Sequence, residues 1–375
     1  MTHYLDHAAT TPMRPCAVQA WVEASGQLNS GTPYASGRKA RSVLDDARES
    51  IAELLGCEPI EVIFTASGTE ADNIAVQGLY KTRVAAGAPG RIVTTPIEHS
   101  AVLEAATLTG AEVDYLPVGK DGHVASLKPL DEEAAVAACM VANNETGALL
   151  DVGSVVAAVD RYGTPVHADA VQAVGRVSID FAGMGVTTLA ASAHKFGGPR
   201  GVGLLLAKRS PAPNPIMVGG GQERGVRAGT VDVAGASATA AALREAVGEM
   251  EAEAARLGAL RDKLHDAIAS TIDGAVINTV QPALPTHLNV SFERTDGDSL
   301  IMLLDQMGVE AATGSACHAG VNRLSHVLEA MGVEPSLGIG TLRISLGHTT
   351  TAEDVDALIG ALPEVISRAR AVHSL

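Results

Sequence analysis

A lysine between an apolar stretch and a glycine-rich turn is the feature of this sequence with the clearest chemical meaning. Lys195 follows Ser192-Ala-His and precedes Phe-Gly-Gly-Pro, and the preceding residues 188–191 are mostly apolar. A lysine at the end of a strand, partly removed from water, has a lowered pKa and can act as a nucleophilic amine. The alternative is an ordinary surface lysine in a turn.

Two other segments indicate what such an amine would bind. Asp169 ends the apolar stretch Val166-His-Ala, where an unpaired carboxylate is costly and a protonated pyridine nitrogen would neutralise it. Ser67-Gly-Thr69-Glu follows a predicted strand and opens a predicted helix. Backbone N–H groups and the helix dipole hold phosphate in that geometry, although the same residues also suit a plain helix N-cap. A phosphate seat, a reactive lysine and a buried aspartate together indicate pyridoxal phosphate.

These residues lie in a chain that alternates helical and strand-like segments. Amphipathic periodicity predicts a helix over residues 36–55, and further helices are predicted between the strands. Alternation of this kind requires crossover connections, so we expect an α/β fold with a mostly parallel sheet covered by helices. The predicted strands are residues 61–65, 91–95, 112–116, 136–141, 166–168 and 202–206.

The pattern changes after about residue 232. A long Ala- and Glu-rich helical region is followed by strands that alternate with helices, which predicts a second, smaller α+β domain. We expect a large domain formed by residues 15–250 and a small domain formed by residues 1–14 and 251–375.

Composition limits the classes of function. The chain has 375 residues, of which 46% are hydrophobic and 19% are charged, so it can bury a substantial core. A net charge of −16 argues against a nucleic-acid partner or an anionic membrane surface. We see no membrane span and no signal peptide. The scattered cysteines fit a reducing cytoplasm rather than a disulfide framework or a zinc ribbon; they are Cys16, Cys57, Cys139 and Cys317.

Taken together, the motifs resemble those of cysteine desulfurases that feed iron–sulfur cluster assembly. These enzymes belong to the class-V aminotransferase family of fold-type I pyridoxal-phosphate enzymes. The resemblance rests on the shared order and spacing of segments that run nearly from end to end. The segments begin at Tyr4, Phe64, Glu98, Ala142, His167, Ser192, Gly219, Thr313 and Leu342.

The resemblance implies an activity and its partners. Such an enzyme converts L-cysteine to L-alanine and keeps the sulfur as a persulfide on a cysteine, here Cys317. It then passes the sulfur to an acceptor protein, of which an iron–sulfur scaffold is one example. The family also implies a homodimer with shared sites and a small domain that carries the cysteine loop.

The resemblance also assigns residues to the cofactor ring. Lys195 would bind pyridoxal phosphate covalently and move the substrate α-proton, and Asp169 would pair with the pyridinium nitrogen. His99 would stack on the ring face, although it could also be merely the residue that starts a helix. Gln172 and Asn144 would lie near the phenolic oxygen and the substrate.

Phosphate and carboxylate binding are assigned in the same way. Arg343 would bind the substrate carboxylate bidentately, which suits a planar guanidinium, and its alternative is a structural salt bridge in a strand. The phosphate would be held by Gly68, Thr69, Ser192 and His194, and by Thr230 of the neighbouring subunit.

Cys317 lies in Gly314-Ser-Ala-Cys-His-Ala-Gly320, whose small residues indicate a loop rather than a packed element. The other cysteines are expected to be buried small hydrophobes. Two positions depart from the family pattern. His318 stands where Thr or Ser is common, and Tyr34 stands where a histidine is common, so substrate handling or loop behaviour is open at both. An imidazole at 318 could stabilise the thiolate or simply face solvent.

Two other motifs and two rival functions give alternative interpretations of the sequence. Residues 219–225 are glycine-rich but lack the strand, helix and acidic residue of a dinucleotide site. Cys317, His318 and His326 do not have the spacing of a zinc site, so no resident metal is expected; Cys317 could still be a transient metal ligand. The main rival is an aminotransferase or another pyridoxal-phosphate lyase of the same fold, selenocysteine lyase included, which would not need Cys317. A non-catalytic partner that keeps the fold is the rival outside enzymes.

Overall fold

A computed structural model describes residues 2–313 and 324–373 of the chain. The strands are β1 (His3–Tyr4), β2 (Val62–Thr65), β3 (Arg91–Thr94), β4 (Glu112–Tyr115), β5 (Val136–Ala138), β6 (Val166–Asp169), β7 (Thr188–Ser192), β8 (Gly203–Ala207), β9 (Ala275–Ile277), β10 (His287–Phe292), β11 (Val309–Glu310) and β12 (Thr341–Ser345). The helices are α1 (Pro15–Ala24), α2 (Ala35–Leu55), α3 (Gly68–Ala85), α4 (Ser100–Leu108), α5 (Val152–Val159), α6 (Phe181–Met184), α7 (Val233–Thr271), α8 (Gly297–Gln306), α9 (His326–Ala330), α10 (Pro335–Gly338) and α11 (Ala352–His373). Among these helices, none is both long and apolar enough to cross a bilayer.

A central sheet organises the larger part of the molecule. Within the described residues it has seven strands in the order β2-β8-β7-β6-β5-β3-β4. β8 runs antiparallel to both of its neighbours, and the other adjacent pairs are parallel. The predicted mostly parallel α/β sheet is therefore confirmed, with β8 as the exception.

Helices cover both faces of this sheet, because consecutive strand residues point to opposite sides. On one face, Ile92 and Val136 pack with apolar residues of α3 and α4. On the other face, Val93 and Ala137 join a larger cluster that includes residues of α2, α5 and the first part of α7. The inner strands β5, β6 and β7 are buried along their whole length, as strands covered on both faces should be.

A second apolar cluster surrounds the antiparallel sheet β9-β10-β12. It takes side chains from α8, α11 and the later part of α7, and Leu5 joins it from the N-terminal segment. α7 is continuous through residue 250. Its residues up to Ala246 pack in the first cluster, and those from Leu257 onward pack in the second. The division into domains at residue 250 stays a prediction.

The parallel arrangement decides where the predicted functional residues meet. β6 ends at Asp169, β7 ends at Ser192, and β2 ends three residues before Gly68. Since β2, β6 and β7 run in the same direction, their carboxyl ends lie at one edge of the sheet, where α/β proteins bind their ligands.

Candidate active site

Lys195 lies at this edge of the sheet, in a single 3₁₀ turn directly after β7. Its Nζ donates to the backbone carbonyl oxygens of Ala8 at 2.5 Å and Ala9 at 2.9 Å. Burial and the charge of Arg176 lower the pKa of Lys195 to about 7. Lys195 is thus a half-buried amine that loses its proton near neutral pH, as a nucleophilic lysine requires.

Asp169 is the second predicted residue at this edge, and only 5% of it is exposed. Its Oδ1 accepts the Val171 backbone N–H at 2.9 Å, and it forms no salt bridge with any described residue. Burial raises the pKa of Asp169, whereas the hydrogen bond from Val171 and the nearby charge of Lys195 lower it. A protonated ring nitrogen would supply the strong positive partner that this carboxylate lacks.

The first residue of α3 packs tightly against the end of β7 and the loop that follows β6. A Cβ at Gly68 would lie 2.6 Å from a methyl of Val171 and 3.3 Å from Cβ of Ser192, so only glycine fits there without a shift. The Ser67 side chain caps α3 by accepting the Glu70 N–H at 3.0 Å. Ser67 is therefore an N-cap, as the alternative interpretation predicted. The N–H groups of the first turn that remain free can still bind a phosphate.

The other predicted phosphate residues have different surroundings. Ser192 is buried at the end of β7, whereas Thr69 is exposed on the first turn of α3. His194 lies 3.0 Å from the hydroxyl of Thr10, measured from its Nδ1. Burial lowers the pKa of His194 to about 4, so its neutral imidazole would bind phosphate by hydrogen bonding rather than by charge.

His99 immediately precedes α4, and its Nδ1 accepts the Ala101 backbone N–H at 3.1 Å. It therefore does start a helix, but the same hydrogen bond fixes the proton on Nε2 and holds the ring. Burial lowers the pKa of His99, and Lys195 acts in the same direction. The ring is thus neutral and still reaches solvent, which suits stacking against a flat cofactor.

Gln172 and Asn144 lie on the loops that follow β6 and β5. The Gln172 side chain is held at both ends: its Nε2 donates to the Ala8 carbonyl at 3.0 Å, and its Oε1 accepts from Arg176 at 2.7 Å. The backbone oxygen of Asn144 accepts from Nη1 of Arg343 at 3.1 Å. Gln172 is therefore rigid, and Asn144 is linked to the residue predicted to bind the substrate carboxylate.

Arg343 lies on β12 and is 7% exposed. Its Nη2 forms a salt bridge with Oδ1 of Asp6 at 2.7 Å, which is the structural alternative foreseen for it. Its Nε is buried and has no hydrogen-bond partner among the described residues. The guanidinium therefore keeps a donor that an incoming carboxylate could use.

Two predicted positions lie away from this cluster in the single chain. Thr230 is exposed after the glycine-rich segment, which is compatible with a role toward a neighbouring subunit. Tyr34 is 56% exposed and directly precedes α2, and nothing in its surroundings assigns it a role.

Cys317 and His318 lie outside the described residues, so their predicted roles stay predictions. The three described thiols are poor nucleophiles. Burial raises the pKa of Cys16 to about 11 and that of Cys57 to about 12, and it raises the pKa of Cys139 as well. Across residues 2–313 and 324–373, no three His, Cys, Asp or Glu side chains group as metal ligands would.

Several polar residues at the site were not predicted from the sequence. Asp6 lies in the family-like segment that begins at Tyr4, but the sequence did not predict which residue it contacts. Arg176 stands four residues after Gln172, a spacing that often indicates a contact. Asp72 and Glu98 are buried acidic residues close enough to Asp169 to feel its charge. The sequence did not predict their burial, because acidic residues on a helix or in a loop are normally exposed.

The described residues fit pyridoxal phosphate. One edge of the sheet holds an amine with a pKa near neutrality, a buried carboxylate without a salt bridge and a tightly packed glycine at the start of a helix. They correspond to the aldehyde, the ring nitrogen and the phosphate of that cofactor.

Comparison with known proteins agrees with this chemistry. Residues 3–358 match the family model for class-V aminotransferases. A Mycobacterium tuberculosis protein named IscS-like cysteine desulfurase is 44% identical over 98% of this chain and 97% of its own. The cysteine desulfurase NifS of Azotobacter vinelandii is 37% identical over 98% of this chain and 94% of its own. A solved NifS-like protein superposes with a TM-score of 0.90 at 33% identity, covering 98% of this chain and 100% of its own. The chain therefore belongs to the class-V aminotransferases and, within them, to the pyridoxal-phosphate-dependent cysteine desulfurases.

Proposed function

We propose that this protein converts L-cysteine to L-alanine and retains the sulfur as a persulfide on Cys317. The observation that carries the proposal is the position of Lys195, a half-buried amine with a pKa of about 7 at the sheet edge where Asp169 ends β6. The full-length similarity to cysteine desulfurases supports the substrate.

Each residue has a distinct task in this proposal. When bound, pyridoxal phosphate supplies an electron sink for charge that develops at the substrate α-carbon. Asp169 keeps the ring nitrogen protonated, because a nearby carboxylate favours the cation. Lys195 holds the cofactor and moves the α-proton as a general base and acid. Arg343 orients the substrate carboxylate.

The sulfur step falls to Cys317. Its thiolate attacks the substrate sulfur, the bond from that sulfur to the β-carbon breaks, and a proton completes L-alanine. One L-cysteine and one thiol therefore yield one L-alanine and one persulfide, so no external oxidant is needed. The raised pKa values of Cys16, Cys57 and Cys139 make these thiols weak competitors for the step.

Reductive trapping tests the assignment of Lys195. Borohydride treatment of the wild-type holoenzyme should fix the cofactor on Lys195, and mass spectrometry of peptides should identify that residue. Lys195→Ala should lose the trapped adduct and the visible absorbance of the bound cofactor. Lys208→Ala, which removes a half-buried lysine directly after β8, is the matched control and should behave like wild type. Trapping on another lysine would show that the assignment is wrong.

A cysteine variant tests the reaction class. Cys317→Ser should retain the cofactor spectrum and bind L-cysteine, but it should lose sulfide release in the presence of a reductant. Cys57→Ser is the control and should keep sulfide release. Sulfide production at the wild-type rate by Cys317→Ser would favour the rival pyridoxal-phosphate lyase, which needs no such cysteine.

We also propose a homodimer in which Thr230 reaches the phosphate of the neighbouring site. Thr230 is exposed, and the adjacent apolar residues Met217 and Val218 of the preceding segment are 47% and 89% exposed, which fits a surface that a partner covers. The segment between them is fixed, because Glu223 accepts the Phe64 N–H at 2.7 Å and pairs with Arg48. Mixing Lys195→Ala subunits with Thr230→Arg subunits should restore activity, and failure despite proven subunit exchange would contradict shared sites.

The acceptor and the location follow as proposals from the same family membership. We propose that the persulfide is passed to an acceptor protein of the iron–sulfur scaffold type and that the protein works in the cytoplasm. The described cysteines are all free thiols, as in a reducing compartment. Transfer of radiolabelled sulfur from L-cysteine to a purified scaffold, compared with transfer from Cys317→Ser, tests the first proposal.

A further inference from the structure

Arg176 is a half-buried arginine whose hydrogen bonds all go to neutral groups. Its Nη1 donates to the backbone oxygen of Gln172 at 2.9 Å and to the side-chain Oε1 of Gln172 at 2.7 Å. Its Nη2 donates to the backbone oxygens of Lys195 at 3.0 Å and His7 at 3.4 Å. Within residues 2–313 and 324–373, no carboxylate forms a salt bridge with it.

Other arginines that are largely buried do have acidic partners. Arg14 pairs with Glu245 and Glu249, and Arg343 pairs with Asp6. A partly buried charge without a counter-charge is unfavourable, and desolvation together with the charge of Arg343 lowers the pKa of Arg176 to about 10. A charge held in this way, hydrogen-bonded to the Lys195 carbonyl, calls for a functional reason.

The hydrogen bonds of Arg176 fix two residues of the proposed site. An arginine can only donate, so the atom of Gln172 that faces it must be the carbonyl oxygen. The Gln172 amide group is thereby turned to the other side, where it donates to Ala8. The bond to the Lys195 carbonyl anchors the backbone of the lysine in the turn that follows β7.

The charge of Arg176 acts on the Lys195 amine. After burial, Arg176 is the largest influence that lowers the pKa of Lys195, followed by Arg343, whereas Asp6 and Asp169 raise it. The nearby imidazoles add no positive charge at neutral pH, because burial lowers the pKa of each; they are His99, His194 and His287.

We propose that Arg176 is a positioning residue of this site: it fixes the Lys195 backbone and the Gln172 amide, and its positive charge acts on the Lys195 amine. The proposal rests on the proposed function, because it gives Lys195 the role of a reactive amine. It extends that function by explaining how Arg176 holds the backbone of the lysine and how its charge acts on the lysine amine. Arg176 is not expected to contact substrate or cofactor.

Titration of the Lys195 amine in the cofactor-free full-length chain tests the proposal. The rate at which acetic anhydride acetylates Lys195 is followed by mass spectrometry as a function of pH, with exposed Lys120 as an internal reference. In the wild type the rate should rise through about pH 7. In Arg176→Met the midpoint should move upward by about one pH unit, because a neighbouring cation is lost. Since no turnover is involved, this result does not depend on whether L-cysteine is the substrate.

Matched variants separate charge from structural damage. Arg14→Met removes a more deeply buried arginine, which donates to the Phe196 carbonyl beside Lys195 but already has two acidic partners. It should leave the Lys195 midpoint unchanged. Arg176→Lys keeps a charge and should titrate close to wild type. An unchanged midpoint in Arg176→Met, or an equal shift in Arg14→Met, would overturn the proposal.

A second measurement covers the case in which Arg176→Met does not fold. Arg176→Gln retains donors for the carbonyl groups but carries no charge, and its midpoint should also rise. In the holoenzyme, the visible absorbance of the Lys195-bound cofactor is titrated with pH. The absorbance midpoint of Arg176→Gln should differ from that of wild type and of Arg176→Lys, and identical midpoints would contradict the proposal.

Discussion

Asp6 and Arg343 form a salt bridge of 2.7 Å that joins the segment after β1 to β12 at the edge of the proposed substrate site. The side chain of Arg343 is 8% exposed and that of Asp6 is 21% exposed, so the pair is only partly screened by water. Because Arg343 is the residue proposed to bind the substrate carboxylate, Asp6 is a carboxylate that competes with the substrate for the same guanidinium.

Replacing Asp6 with Asn should therefore strengthen substrate binding. The neutral amide competes less with the substrate carboxylate, and a gain of about 1 kcal/mol, roughly fivefold in KM for L-cysteine, is reasonable for a partly exposed pair. Steady-state kinetics would measure it. Asp354→Asn, which breaks the contact between His3 of β1 and Asp354 of α11, should leave KM unchanged.

The opposite outcome would also be informative. Arg343→Lys should raise KM, because an ammonium cannot bind a carboxylate bidentately. If Asp6→Asn raises KM to the same extent as Arg343→Lys, Asp6 orients the guanidinium and does not compete with the substrate.

The salt bridge between Asp6 and Arg343 is a contact that the sequence could not predict. The positions of Lys195 and Asp169 at one sheet edge could be predicted, because the carboxyl ends of parallel strands meet there and both segments were recognisable. Asp6 and Arg343 are 337 residues apart, and no local pattern links residues at that distance. The direction of β8 was equally hidden, since five apolar residues fit a strand of either direction. No pattern in the sequence marks Arg176 as a site residue, because arginines are normally on the surface.

The buried contact between Asp72 and His167 should be a neutral hydrogen bond. Nε2 of His167 lies 3.1 Å from Oδ1 of Asp72. Burial lowers the pKa of His167 to about 3, and burial with the charge of Asp169 raises the pKa of Asp72. At pH 7 we therefore expect a protonated carboxyl group that donates to a neutral imidazole.

Two substitutions at Asp72 check this expectation. Asp72→Asn keeps a donor for His167 and should change the free energy of unfolding by less than about 1 kcal/mol. Asp72→Leu leaves Nε2 of His167 unsatisfied and should cost about 1–3 kcal/mol. Urea denaturation at pH 7 measures both. A loss of about 3–5 kcal/mol in Asp72→Asn would instead indicate a buried ion pair.

Glu98 should make the stability of the protein depend on pH. Its Oε1 accepts from the Thr95 hydroxyl and the Met140 N–H, both at 2.8 Å, whereas Oε2 has no partner among the described residues. Burial raises the pKa of Glu98 to about 8. Between pH 4.5 and 8 the folded state holds a proton that the unfolded state has lost, so stability should fall as pH rises.

Glu98→Gln should remove this component. The amide oxygen can keep both hydrogen bonds, and the side chain no longer titrates. The difference in free energy of unfolding between Glu98→Gln and wild type should therefore grow in favour of the variant from pH 5 to 8, by at most about 1.4 kcal/mol per pH unit. Denaturation curves at several pH values measure it. A difference that is independent of pH would show that Glu98 is ionised throughout the range.

Alkylation at neutral pH should distinguish Cys317 from the other cysteines. At pH 7.5 a thiol with an ordinary pKa of ~8.5 is about one-tenth thiolate, whereas one with a pKa of ~11 is thiolate in roughly one molecule in three thousand. Burial raises the pKa of Cys16 to about 11 and that of Cys57 to about 12, and Cys139 is fully buried. Iodoacetamide should therefore modify Cys317 at least about a hundredfold faster than these three thiols, because only the thiolate reacts.

Peptide mass spectrometry over a time course would give the four rates, and loss of sulfide release should follow the modification of Cys317. Repeating the series against pH in His318→Thr would show whether the neighbouring imidazole stabilises the thiolate, in which case the apparent pKa of Cys317 should rise in the variant. Superimposable pH curves would leave His318 without that role. Modification of Cys16 or Cys57 at a rate comparable to Cys317 would contradict the assignment of Cys317 as the distinctive nucleophile of this chain.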